Sequence, residues 1–146
     1  MPRKILIVED DGMTAMLIGE ALKAEMRDNH VQNVKRLDEA LSIIHSAEPP
    51  DAVVLDLTLL DADRETTLAR VNEIRNICPV AIITGHPAED IERKTDVPVY
   101  EKGNMGSGIL TKVVEFAIQV LRPSKLDESI SKAQRLIESP PPNDGQ

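Results

Sequence analysis

The sequence predicts an α/β fold, a doubly wound five-stranded parallel sheet with helices on both faces. Two observations carry that reading. Short runs apolar on every residue mark strands buried on both faces, and between them lie segments of helical period, so that strand and helix alternate five times. A third observation points to function: several of the apolar runs end in a charged or hydroxyl residue. In a parallel sheet all strand ends of one polarity gather at one edge, where open α/β sheets bind ligands.

The first run, Ile5-Leu6-Ile7-Val8, ends in Glu9-Asp10-Asp11. Met13, Met16, Leu17, Ala21 and Ala24 mark one face of the helix that follows, and Val31 to Val34 fill the place of a second strand. Leu37, Ala40, Leu41 and Ile44 mark the second helix, with Asp38 as its cap and Glu48-Pro49-Pro50 as its stop. Ala52-Val53-Val54-Leu55 is the third strand and ends in Asp56; Leu68, Val71 and Ile74 mark the helix beyond the polar loop Asp61-Ala62-Asp63. Val80-Ala81-Ile82-Ile83 ends in Thr84. Between Pro87 and Pro98 only Ala88 and Ile91 offer an apolar face, which predicts about two helical turns at most, loosely held. Val97-Pro98-Val99-Tyr100 is followed by Lys102, and Leu110, Val113, Val114, Ala117, Ile118 and Leu121 form the last stripe before Pro123. Residues 1–122 are thus expected to form the domain. Leu126, Ile130, Ala133 and Ile137 predict a helical extension over 123–138, with the helix at about 125–138, and 139–146 reads as a disordered tail.

The net charge of −8 argues against nucleic acid or an anionic membrane surface as partner. No apolar stretch approaches membrane-spanning length and no signal peptide opens the chain, which reads as cytoplasmic. The one cysteine, Cys78, excludes an internal disulfide and a thiolate-rich metal site and reads as a small buried hydrophobe. With 1% aromatic residues the core must be aliphatic, and base-stacking platforms are nearly excluded.

Carboxylates crowded at one sheet edge repel one another unless a hard cation such as Mg²⁺ lies among them. An acid cluster, a lone Asp, a Thr and a Lys, each closing a strand in that order, resemble the receiver domain of bacterial response regulators over about residues 3–122. The resemblance implies the flavodoxin-like strand order 2-1-3-4-5. It implies that Asp56 is a nucleophile that accepts a phosphoryl group, helped by Thr84 and Lys102. It further implies a Mg²⁺ ion held by Asp10 directly, by Glu9 through water, by Asp56 and by the backbone carbonyl of Thr58; Asp11 sits where an acid is common but seldom a ligand. The implied partners are a histidine kinase or histidine phosphotransfer protein and a downstream protein target. Gly85 would leave the phosphate open to a donor, and His86 occupies a place that often modulates acyl-phosphate hydrolysis.

The chain also departs from the family pattern. Gly103 follows Lys102 where Pro is usual, and Leu60 and Arg64 replace a Pro and a Gly after the acceptor. Val99 stands where an aromatic normally moves with the Thr, while Tyr100, one position along, should face the other side of the sheet. Three readings follow. The first is a stand-alone receiver that signals by phosphorylation-dependent protein binding and catalyses only its own phosphorylation and dephosphorylation. The second is a receiver-like binding module that works without phosphorylation, against which the complete acid–Asp–Thr–Lys set counts. The third is a metal-dependent phosphatase, against which Thr58 counts, since such enzymes place a second acid two residues after the nucleophile.

Overall fold

The computed structural model describes residues 3–103, 107–121, 133, 134, 136 and 137. Five strands, β1 (Lys4–Val8), β2 (His30–Val34), β3 (Ala52–Asp56), β4 (Val80–Thr84) and β5 (Val99–Glu101), form one sheet in the order β2-β1-β3-β4-β5. Every neighbouring pair is parallel. The helices are α1 (Gly12–Glu25), α2 (Leu37–Ile44), α3 (Arg64–Arg75), α4 (Ala88–Glu92) and α5 (Ser107–Leu121). The predicted fold class and strand order are both observed. Among the described residues no helix is long and apolar enough to cross a membrane.

Strand alternation divides the core into two layers. Leu6, Val8, Val53, Leu55 and Ile82 face one side, against Ala40 and Ile44 of α2, Leu68 and Val71 of α3 and Ile91 of α4. Ile5, Ile7, Val54 and Ile83 face the other, against Ile18 and Leu22 of α1 and Val113, Phe116 and Ala117 of α5. β3 and β4 are buried at every position, as uninterrupted apolar runs require. Cys78 lies in the first layer, where burial pushes its thiol up to about 11.

Two helix faces differ from expectation. On α1 the buried residues are Thr14, Ala15, Ile18, Gly19 and Leu22, whereas Met13 and Met16 are exposed. The segment carries two overlapping apolar stripes, and the one with the branched side chains Ile18 and Leu22 at i, i+4 is buried, leaving the flexible methionines in solvent. On α5, Val113, Ala117 and Leu121 are buried as expected, but Ile109 and Phe116 join them while Leu110, Val114 and Ile118 are only half-buried. α4 is as short as expected, with five residues. Its contacts are a fully buried Ile91 and a hydrogen bond from the Ala88 N–H to Glu101 Oε1 at 2.6 Å. Of the helix expected over 125–138, Ala133, Gln134, Leu136 and Ile137 are helical and exposed; its remaining residues lie outside those described.

The cap of α2 is also not the expected one. Asp38 lies inside the first turn and pairs with Arg36 at 3.0 Å. The carboxylate at the helix start comes from Asp61, in the loop after β3, which accepts from the N–H groups of Leu37 at 2.9 Å and Asp38 at 3.2 Å. A long-range cap of this kind leaves no local sequence signal. Asp61→Ala should therefore cost about 1 kcal/mol, the usual loss for an N-terminal cap, and Asp38→Ala less than about 0.5 kcal/mol, as for exposed pairs. Urea denaturation of the two variants checks this, and equal losses would remove Asp61 from the capping role.

Candidate functional site

The sheet brings its C-terminal strand ends into one place by backbone register alone. Asp56 lies opposite Ile83, and Thr84 opposite Glu101. The Lys102 N–H then donates to the Thr84 carbonyl at 2.8 Å, and the Glu9 N–H to the Val34 carbonyl at 3.0 Å. Glu9, Asp10, Asp56, Thr84 and Lys102 thus share one edge.

Glu9 and Asp56 are buried, at 0% and 1% exposure, and Asp10 is half-buried. One carboxylate oxygen of each lies within 4.8 Å of the others. Across such a distance two carboxylates repel by about 3 kcal/mol at an effective dielectric near 20. Lys102 is the nearby cation: its Nζ lies 3.1 Å from Glu9 Oε2 and 3.2 Å from Asp56 Oδ2. Among the described residues one positive charge thus faces three carboxyl groups, so the cluster is under-neutralised whenever all three are ionised.

The imbalance shows in the acid–base chemistry. Burial, reinforced by the charge of Asp56, lifts Glu9 to about 7, although Lys102 pulls the other way. Burial disfavours the charge on Lys102, but Asp56 and Glu9 outweigh it and raise the ammonium above its usual range. Glu9 Oε1 accepts from Lys102 Nζ and from the Asp11 N–H, whereas the buried Oε2 has the Lys102 ammonium at 3.1 Å as its ionic contact and no further donor among the described residues. Three carboxylates with oxygens this close and a single ammonium between two of them fit a hard divalent cation, and Glu9, Asp10 and Asp56 are the side chains that could hold it.

Asp56 is held from both sides. Its Oδ1 accepts from the Thr58 N–H at 3.0 Å, and its Oδ2 meets Lys102. Thr58 itself is exposed. Asp11 stands apart as the N-cap of α1, where the Thr14 hydroxyl and N–H hold it below the usual carboxylate range. Thr84 is fully buried, and its hydroxyl oxygen accepts from the His86 N–H at 3.0 Å across Gly85. The His86 side chain is exposed. Gly103 has φ +53°, a conformation open to Gly and closed to Pro, so the departure from the family pattern has a backbone reason.

Two residues of the site gave no signal in the sequence. Glu101 was only the acid before Lys102, yet it caps α4. Asn33, a poor strand former, reaches from β2 to the carbonyl of Glu9 at 3.2 Å.

The family description "response regulator receiver domain" matches residues 5–101. No curated protein matches the chain. Among solved structures, the phosphorylated cyanobacterial phytochrome response regulator RcpA is 25% identical with a TM-score of 0.72, covering 86% of this chain and 98% of its own. The Mn²⁺-bound form of response regulator Rcp1 is 22% identical with a TM-score of 0.69, covering 85% and 98%. A response regulator from Thermotoga maritima is 18% identical with a TM-score of 0.67, covering 83% and 98%.

The raised Glu9 carboxyl makes the metal-free protein sensitive to pH. A folded-state value above the ordinary 4.5 means that the protonated form is stabilised on folding. That contribution is full below about 4.5 and disappears as pH climbs through about 7. With a chelator present, the melting temperature should fall between pH 5.5 and 8, and Glu9→Gln should flatten the fall. Parallel curves for the two proteins would disprove the assignment.

Proposed function

The chain belongs to the response regulator receiver domain family, and from that premise we propose that it accepts a phosphoryl group on Asp56 and signals through the resulting change. Receiver domains are signalling modules of two-component phosphorelays rather than enzymes with a separate substrate. The observation that carries the proposal is the half-buried Lys102 ammonium lying 3.2 Å from Asp56 Oδ2 and 3.1 Å from Glu9 Oε2.

In the proposed reaction an Asp56 carboxylate oxygen forms a bond to phosphorus while the bond from phosphorus to the donor's leaving group breaks. The donor is a phosphohistidine of a histidine kinase or phosphotransfer protein, whose imidazole leaves and takes up a proton. A carboxylate attacking an anionic phosphoryl group needs positive charge fixed in place beforehand. Glu9, Asp10, Asp56 and the Thr58 carbonyl would hold a Mg²⁺ ion there, which would supply neutralising charge for the phosphoryl oxygens. Lys102, already beside Asp56, holds one of those oxygens as a compact point charge, and the Thr58 N–H keeps the Asp56 carboxylate in one orientation. The Thr84 hydroxyl donates to the phosphoryl group by turning from the His86 N–H that it now accepts, which carries the loop Gly85–Pro87 with it. A downstream protein reads that change.

The second reading, a binding module that works without phosphorylation, is favoured by one observation. Val99 packs in the layer of α2, α3 and α4 and Tyr100 in that of α1 and α5, so no aromatic follows Thr84 in the usual way.

Mass spectrometry after incubation with a small acyl phosphate separates the two. One phosphate adduct is expected with Mg²⁺, and none after chelation or in Asp56→Ala. An adduct on Asp56→Ala sinks the acceptor assignment, and no adduct on the wild type favours the binding module. The acid roles separate in a Mg²⁺ titration: Asp10→Asn should weaken binding at least about tenfold, whereas Asp11→Asn should leave it nearly unchanged because Asp11 caps α1. Equal losses would show that the acid pair is mis-set by one residue.

A further inference from the structure

We infer that Asn33, on the edge strand β2, is a positioning residue that sets the geometry of the carboxylate cluster without touching it. The inference rests on the proposed metal site and concerns the peptide that joins two of its acids.

Asn33 lies opposite Ile7 in the β1–β2 pairing. Its side-chain amide turns over the end of the pair and shares its two N–H groups among three carbonyls: Ile7 at 3.1 Å, Glu9 at 3.2 Å and Val34 at 3.1 Å. The last residue of β2 is Val34, whose carbonyl also accepts from the Glu9 N–H. Beyond it the strand ends, and no backbone donor to the Glu9 carbonyl is found among the described residues. The Asn33 amide therefore does what a further strand residue would have done.

The consequence is local. The Glu9 carbonyl belongs to the same planar peptide as the Asp10 nitrogen. Fixing that carbonyl fixes the plane, and the plane sets the direction in which the Asp10 side chain leaves the backbone. Its neighbour Glu9 is buried and points back under Lys102. The two acids belong to one candidate ligand group, so a rotation of the plane between them spreads their oxygens apart. Supporting hydrogen bonds of this sort commonly change metal affinity by about ten- to a hundredfold. Asn33 itself is exposed at a sheet edge, so its three bonds come with little apolar burial.

The test uses Mg²⁺ alone as the ligand, followed by calorimetry. Asn33→Ala should raise the dissociation constant about tenfold, and Asn33→Leu, of similar size but without a donor, should do the same. The control Gln32→Ala, one residue along on the other face, should bind as the wild type does. With a chelator present, the melting temperatures of the three variants should agree. With a small acyl phosphate, half-saturation in Mg²⁺ should move while the rate at saturating Mg²⁺ stays at the wild-type value, a split that a general loosening of the fold would not produce. A wild type that binds Mg²⁺ together with an Asn33→Ala that binds it equally well overturns the role of Asn33 alone. Equal loss in Gln32→Ala, or a lowered saturating rate, overturns it as well. A wild type that takes up no Mg²⁺ overturns the metal reading, and the inference with it.

Discussion

Three carboxylates and one ammonium share the closed edge of the sheet, and much of the rest of the fold answers to that arrangement. Like charges at this distance are costly, and burial raises the cost because neither Glu9 nor Asp56 can lean on solvent. Without a further cation the structure has two means of relief. Lys102 stays charged against its own desolvation, and Glu9 gives way by holding a proton to about pH 7. Neither brings a second cation to the group. The site is therefore poised, with a cluster that the scaffold holds together and that the side chains alone would push apart.

The scaffold can do this because the strands beneath the acids are rigid. Ile7 and Val8 below Glu9, and Val54 and Leu55 below Asp56, are at most 1% exposed, with helices packed on both faces. The same topology also deals with the surplus acids nearby. Each helix begins where a strand has ended, so helix N-termini with unpaired N–H groups face the edge that carries the acids. Asp11 caps α1, Asp61 reaches across to α2, Asp63 caps α3, and Glu101 holds the first N–H of α4. Acids not spent on helix starts are left for the cluster. What reads in the sequence as one diffuse acidic edge thus separates into caps and candidate ligands, and the separation is made by which backbone donors lie within reach.

That division explains what could be read in advance. Fold class follows from apolar runs such as Val80 to Ile83, which read as strands buried on both faces, whereas strand order came from the family resemblance carried by Glu9, Asp56, Thr84 and Lys102, each closing a strand in turn. Backbone register then places those four residues together without help from side chains. Where two solutions shared one pattern, the sequence did not choose: α1 offers a methionine stripe and an Ile18–Leu22 stripe, and only packing against the sheet decides. Where a role depends on a partner far along the chain, there was no signal at all. Asp61 capping a helix 24 residues earlier is such a case, as is Asn33 reaching Glu9 across 24 residues. Periodicity and motif spacing describe neighbours along the chain, and these contacts are neighbours only in space.

The path from the site to a partner is the last step that the structure constrains. Thr84 is followed by Gly85, His86 and Pro87, and α4 begins at once with its first N–H on Glu101, the residue before Lys102. Thr84 and Lys102 are therefore joined twice, by the backbone bond from Lys102 to the Thr84 carbonyl and by the Glu101 cap. A turn of the Thr84 hydroxyl away from His86 loosens the loop at one end, and the cap resists at the other. With only five residues and Ile91 as its buried anchor, α4 has little room to slide over the sheet. Tyr100 lies on the opposite layer with Lys112 Nζ 5.9 Å from its ring, where it senses α5 rather than Thr84. On the proposed function, movement at Thr84 would pass to Gly85–Pro87 and the start of α4, a smaller surface than a long fourth helix would provide. If Asp56 is phosphorylated as proposed, a partner that reads the change would meet it at this loop, which follows Thr84 directly and leads straight into α4.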